Sequence, residues 1–235
     1  MSSTQLVSVS NRIISGLASK QRRQFLTHCE TVELKFGEIL SLPNDVLQFV
    51  YFPVTCFISL VARVSQHPPI EVALIGNEGA LGASLVLGVN MTPVESVVQG
   101  AGSACRITAT QFERELRASP DLSRLVSRYL YALMLQLSQS AVCTHFHAIE
   151  ARLARWLLMT HDRAHADEFH LTHQFLADML GVQRGAITIA ATALKNKKLI
   201  RYTRGQIHIL SRGGLEDAAC ECYAVIANGE KRLFE

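Results

Sequence analysis

The sequence predicts an α+β chain in three parts: an N-terminal β jelly roll over residues 1–119, a long helix over 120–147, and a C-terminal winged helix-turn-helix over 148–235. Three observations carry this. Short apolar runs recur at even spacing up to Ser119, with turn residues between them. An apolar stripe about 20 residues long follows at helical period. A helix–glycine–helix pattern and a basic hairpin then close the chain.

The β region opens on a helical pattern, Lys20–Cys29. The runs Thr31–Leu34, Glu38–Leu40, Val46–Tyr51, Cys56–Arg63, Ile70–Ile75, Val94–Gln99 and Ala104–Thr108 then read as strands. Between them lie turn clusters such as Pro43-Asn44-Asp45, His67-Pro68-Pro69 and Gly76-Asn77-Glu78-Gly79. A helical segment, Ala109–Leu116, ends the region. Pro120-Asp121 is a helix start signal. From there Leu122, Val126, Tyr129, Leu130, Leu133, Leu137 and Ala141 share a stripe with few charges around it. A helix this apolar needs cover on more than one side. Packing on the β region and on a second copy would supply it, so a homodimer is expected.

After another helix, Ile149–Asp162, comes HQFLADMLGVQRGAITIAAT at His173–Thr192. Phe175, Leu176, Met179 and Leu180 share one helical face. Gly181 stands where the helix must end with φ > 0, which glycine adopts at little cost. Val182 plugs the turn, and Ile187, Ile189, Ala190 and Leu194 continue the apolar pattern. Ala177 and Ile187 are placed for the crossing of two steeply inclined helices, one small and one apolar. Leu199–Tyr202 and Gln206–Leu210, around Thr203-Arg204-Gly205, read as a hairpin.

Charge points the same way. Between Met179 and Leu215 lie Arg184, Lys195, Lys197, Lys198, Arg201, Arg204 and Arg212, with no Asp or Glu. Removing these seven from the formal net charge of +3 leaves −4 for the rest of the chain. A basic helix-turn-helix within an otherwise acidic protein is the electrostatic footprint of phosphate binding, so double-stranded DNA is the expected partner. Gln183, Arg184, Thr188 and Thr192, close to one helical face, are the candidates for base contacts. Thr172 is placed to cap the first helix and, with His173, to meet a phosphate. Lys195, Lys197, Lys198 and Arg204 are phosphate candidates.

Composition excludes several classes. A content of 49% hydrophobic against 18% charged residues suffices for packed cores and argues against disorder. No apolar run reaches the length of a membrane span, and the opening MSSTQLVSVSNRI lacks a basic-then-apolar signal pattern. A cytoplasmic protein is expected. Cys29, Cys56, Cys105, Cys143, Cys220 and Cys222 are scattered without a CxxC pair, the pattern of reduced thiols.

The order of parts, GEIL at Gly37–Leu40, GNEGALGASLVLG at Gly76–Gly88, EARLARWLL at Glu150–Leu158, the helix-turn-helix and LIRYTRGQIHIL at Leu199–Leu210 resemble the Crp/Fnr superfamily of bacterial transcription regulators. The resemblance covers nearly the whole chain. It implies a cyclic-nucleotide-binding-like jelly roll, a dimerisation helix and a winged helix on a palindromic operator, with RNA polymerase as a further partner. In members that bind cyclic AMP, a Glu holds the ribose and an Arg-Ser pair holds the cyclic phosphate. Here those positions align with Ala83 and with Glu95-Ser96. A carboxylate in place of the phosphate cation is repulsive by roughly 1–4 kcal/mol at 4 Å and removes a bidentate donor. No Arg or Lys lies between Arg63 and Arg106. Control independent of cyclic nucleotides is expected.

The family's other sensors find few ligands. An Fe–S type needs clustered cysteines near the N-terminus, where only Cys29 stands; a haem type needs axial ligands, and the β region offers only His28 and His67. No cofactor, resident metal or catalytic residue is expected, and the protein is expected not to be an enzyme. Two alternatives stay open. The cysteines could make a redox- or metal-responsive regulator, for instance by setting Cys220 and Cys222 against His161, His165, His170 or His173. A cupin-type metalloenzyme could be fused to a DNA-binding module. His145 and His147 read as polar positions at a helix end. The best-known family members open their recognition helix with Arg-Glu and place a second Arg one turn on. Here those positions are Arg184, Gly185 and Ile189, so Arg184 keeps a guanine contact available and the half-site should differ.

Overall fold

The computed structural model describes residues 11–164 and 166–232; the first ten residues of the expected β region and His165 lie outside them. Two helices, α1 (Arg12–Ser15) and α2 (Ser19–Leu26), precede seven strands: β1 (Glu30–Leu34), β2 (Ile39–Ser41), β3 (Phe49–Pro53), β4 (Phe57–Ala62), β5 (Ile70–Ile75), β6 (Glu95–Gly100) and β7 (Gly102–Thr108). They form two antiparallel sheets, ordered β1-β7-β3 and β2-β6-β4-β5. Each expected run yields a strand, although the Val46–Tyr51 run is shifted to Phe49–Pro53, with Val46 held only by a bridge to Met91. The core between the sheets includes Phe25, Phe52 and Phe112, stacked edge-on with centroids 5.5–6.4 Å apart.

Helix α3 (Ala109–Ala118) closes the sandwich. Helix α4 (Pro120–Phe146) then runs 27 residues, capped by the Ser119 hydroxyl with Pro120 in its first turn. Its Leu122, Val126, Tyr129 and Ala132 are buried against the β region. Gln136 is buried too, but as a strand mimic: its side chain accepts from Leu74 N at 2.6 Å and donates to Leu74 O at 3.1 Å.

The C-terminal part holds α5 (Ile149–Ala164), β8 (Glu168–His170), α6 (His173–Leu180), α7 (Arg184–Asn196), β9 (Ile200–Thr203), β10 (Gln206–Ile209), α8 (Arg212–Ala218) and α9 (Cys222–Arg232). A three-stranded sheet, β8-β10-β9, forms the wing. Trp156, Leu153, Leu157, Ala177, Ile187, Ala190 and Leu194 make a second core. The two cores are tied together. Trp156 Nε1 donates to Glu71 Oε1 at 2.9 Å, Phe36 meets Phe175 at 5.9 Å, and Arg163 pairs with Glu78 at 2.7 Å. Full burial of Glu71 pushes its carboxyl up to about 7, against the hydrogen bonds from Ser59 and Trp156. Among the described residues, no helix is long and apolar enough to cross a membrane.

Candidate nucleic-acid interface and effector pocket

The helix-turn-helix is built by local sequence. Thr172 caps α6, its hydroxyl accepting from Phe175 N at 3.1 Å. Gly181 ends that helix at φ +62°, and a Cβ there would lie 2.9 Å from the Ile70 side chain. Ala177 and Ile187 are fully buried at the crossing, as their spacing predicts. Ile189 is not part of that core. It is 73% exposed on the outward face of α7, so its place in the apolar pattern misled.

The outward face of α7 carries the candidate base-contact residues. Gln183 precedes the helix, and Arg184, Gly185, Thr188, Ile189, Thr192 and Lys195 are exposed along it. Nothing stands within 4 Å of a Cβ built on Gly185. Thr188 and Thr192 donate to the carbonyls of Arg184 (3.1 Å) and Thr188 (2.7 Å). With the hydroxyls bonded back to the helix, the face is partly apolar, and Ile189 joins it as a group suited to a thymine methyl. His173 sits apart from the solvent-facing groups: its ring stacks on Tyr202 at 4.4 Å and its Nδ1 meets Thr188 Oγ1 at 3.0 Å. Burial, with Arg184 nearby, lowers its pKa and keeps the ring neutral. The ring thus meets Thr188, and any contact it makes with a phosphate would be a neutral hydrogen bond.

The hairpin turns on two residues, Arg204 (φ +49°) and Gly205 (φ +85°), with Thr203 paired to Gln206. Two positive φ angles match the right-handed strand twist, and they place the Arg204 side chain at the exposed tip. The basic tally shrinks once partners are seen. Lys197 Nζ lies 2.6 Å from Glu150, and Arg212 lies 2.7 Å from Asp162 and 3.1 Å from Glu216. Both are engaged within the fold. Arg184, Lys195, Lys198 and Arg204 remain exposed.

The β region encloses a cavity of about 400 Å³ against α4, lined by Leu47, Leu60, Ile75, Ala83, Leu130 and Leu133 among others. Ser84 and Thr92 are its polar side chains. Glu95 is buried and engaged: Arg63 Nε donates to its Oε2 at 2.6 Å and Nη2 to its Oε1 at 3.0 Å. Nothing in the sequence around Glu95 marks Arg63 as its partner; the β4–β6 pairing brings the two together from 32 residues apart. The Arg63 cation is thus neutralised by the Glu95 carboxylate.

A different cluster lies where α4 gives way to the C-terminal half. Cys143 and Cys220 sulfurs stand 3.4 Å apart, and Cys222 Sγ lies 3.5 Å from His147 Nδ1. The partners of the Cys220–Cys222 pair are therefore Cys143 and His147, and none of His161, His170 or His173. His161 instead meets Asp167 at 2.8 Å and Arg212 at 2.7 Å. A single turn of helix separates Cys143 from His147, and that spacing is the signal that a search for metal ligands could have used.

Residues 151–218 match the family model described as the Crp-like helix-turn-helix domain. No curated protein matches the chain by sequence. Solved structures share its fold at low identity. FixK2 from Bradyrhizobium japonicum is 14% identical with a TM-score of 0.69, covering 82% of this chain and 98% of its own. The c-di-GMP-responsive global regulator CLP from Xanthomonas campestris is 16% identical with a TM-score of 0.67, covering 83% and 100%. A CRP/FNR-family transcriptional regulator from Thermus thermophilus is 18% identical with a TM-score of 0.64, covering 81% and 98%. The chain thus carries a Crp-like helix-turn-helix domain and shares the overall fold of these regulators.

Proposed function

We propose that this protein is a cytoplasmic, homodimeric transcription regulator that reads a palindromic operator through α7 and its wing, without cyclic-nucleotide control and with RNA polymerase as its working partner. The observation that carries the DNA reading is the exposed row Arg184, Thr188, Ile189 and Thr192 on the second helix of a helix-turn-helix, with Arg204 at the wing tip. Two such helices in a dimer would enter successive major grooves, so half-sites should be centred about 10 bp apart or a small multiple. Genome-wide footprinting would give that operator. On it, Arg184→Ala should cost about 1–3 kcal/mol and relax preference at one base pair. Arg204→Ala should weaken all sequences alike and lower the salt slope by about one. Uniform loss for Arg184→Ala would remove it from the base-reading set.

The effector reading rests on the cavity and on Glu95. An apolar lining gives a ribose no acceptor beyond Ser84 and Thr92, and the Arg63–Glu95 pair offers a cyclic phosphate no free cation. Calorimetry with cyclic AMP, cyclic GMP or cyclic di-GMP, the last because the Xanthomonas regulator responds to it, should show no saturable heat at about millimolar ligand. Operator affinity should move by less than the few-fold that ~1 kcal/mol of coupling gives. Binding below about 100 μM, near −5.5 kcal/mol, would overturn this reading.

A further inference from the structure

We propose that Cys143, His147, Cys220 and Cys222 form a Cys₃His site for a thiophilic divalent metal ion of the zinc type, at the junction of the long helix with the C-terminal half. The four donor atoms, three sulfurs and one imidazole nitrogen, all lie within 4.8 Å of one another. A tetrahedral ion with bonds of about 2.3 Å to sulfur and about 2.0 Å to nitrogen holds its donors roughly 3.5–3.8 Å apart. The observed contacts of 3.4 and 3.5 Å need only small side-chain shifts to meet that geometry. No other such group of three or more donors occurs among the described residues. Three of the chain's six cysteines converge there, from positions 77 residues apart.

The surroundings are those of a metal ligand set. Glu221 Oε1 lies 3.3 Å from His147 Nε2, which leaves Nδ1 for the ion and fixes the ring's tautomer, as a carboxylate beside a ligating histidine does. The three thiolates with a divalent ion carry net −1, and cations stand ready to balance it. Arg152 and Arg155, both buried, act on the Cys143 charge. Their Nε atoms have no hydrogen-bond partner; Arg152 Nη2 donates to Leu180 O at 2.6 Å, and Arg155 meets the Met159 sulfur and lies in the field of Glu71. Buried guanidinium groups so thinly bonded are costly without a nearby anion. Soft sulfur donors in a closed four-ligand set favour zinc-type ions over magnesium or calcium.

The site would pin the start of α9 to the last turn of α4, just ahead of α5, where the C-terminal half joins the long helix.

The test uses the full-length protein, reduced and stripped with chelator, titrated with Co²⁺ and then Zn²⁺. One Co²⁺ per chain should bind, with the intense visible bands of a tetrahedral thiolate site and a sulfur-to-cobalt band in the near ultraviolet. Zn²⁺ should abolish them. Cys222→Ala should lose the bands or reduce affinity at least 100-fold, while Cys29→Ser, outside the cluster, should titrate as wild type. Glu221→Gln, which touches only the imidazole, should keep the bands and weaken binding about 10- to 100-fold, so the answer does not depend on a ligand variant that fails to fold. Weak octahedral bands, or tetrahedral bands at wild-type affinity in both Cys222→Ala and Glu221→Gln, would overturn the proposal. So would a Cys143–Cys220 disulfide, found by mass spectrometry in protein isolated without reductant, that forms equally with Zn²⁺ present. The spectra do not depend on DNA, so a wrong operator reading leaves this result standing.

Discussion

Replacing Met134 with glutamate is expected to turn the proposed dimer into a monomer and to lower affinity for the proposed operator at least 100-fold, with Tm changed by only a few degrees. Helix α4 has two apolar sides. One, Leu122, Val126, Tyr129 and Ala132, is buried on its own chain. The other, Tyr131, Met134, Leu137 and Val142, faces outward at spacings of three to five residues; Tyr131 is 60% and Met134 58% exposed. An apolar stripe left open along so long a helix is suited to a second copy of itself. In the free chain a charge at position 134 meets water and costs little. In a two-fold seam the same charge loses its hydration without a partner, and symmetry doubles the cost. Leu133, the central residue of the sequence stripe, is the wrong probe. It is half-buried and lines the cavity between the β region and α4, so a charge there would disturb the fold as well. Sedimentation showing an intact dimer for Met134→Glu would refute the seam.

What the sequence reveals and what it conceals divides along contact range. Gly181, Ala177 and Ile187 specify the helix-turn-helix by spacing within a dozen residues, and the structure places them as that spacing requires. Arg204-Gly205 specifies the wing turn in the same local way. Strands β1 to β7 are legible because their runs alternate between turn clusters. Strand β8 is not: three residues carry no period, and it exists because β10 pairs with it. Helices α8 and α9 escape notice for want of a long apolar stripe.

Partners across long separations are invisible to a count of charges. Arg212 and Lys197 look like free cations until Asp162 and Glu150 are brought beside them. Arg63 looks remote from Glu95 until β4 and β6 pair. The cysteine cluster is the extreme case, since its halves lie on α4 and at the α8–α9 link. Ile189 is a failure of a different kind. Helical period marks which residues share a face, yet an apolar residue outside the stripe is not thereby buried, and a groove-reading face can carry one.

Arg163→Met should destabilise the protein by about 3–5 kcal/mol near neutral pH, a large share of the ~5–15 kcal/mol that holds a typical fold. Arg163 is buried in α5. Its Nε and Nη2 donate to Glu78 Oε1 at 3.0 and 2.7 Å, Nη2 donates to Glu230 Oε1 at 2.8 Å, and Nη1 donates to Met159 O at 3.1 Å. One side chain thus joins the turn after β5, the first helix of the C-terminal half and α9. Methionine fills the volume but leaves two carboxylates facing each other out of water. Burial already pushes Glu230 up to about 7, with Arg163 holding it down. Without the arginine, the folded-state pKa of Glu230 rises further above the unfolded value. The folded state then binds more protons than the unfolded one, so stability falls as pH rises through that window. The loss should therefore be smaller at pH 5 than at pH 8. Urea unfolding at both pH values measures it, and adding Glu78→Gln and Glu230→Gln to the variant should recover part of the loss at pH 8 by removing the stranded charges. A loss below about 1 kcal/mol, or one equal at both pH values, would mean that the triad is open to water and that the two halves are held together by Trp156–Glu71 and the aromatic contacts instead.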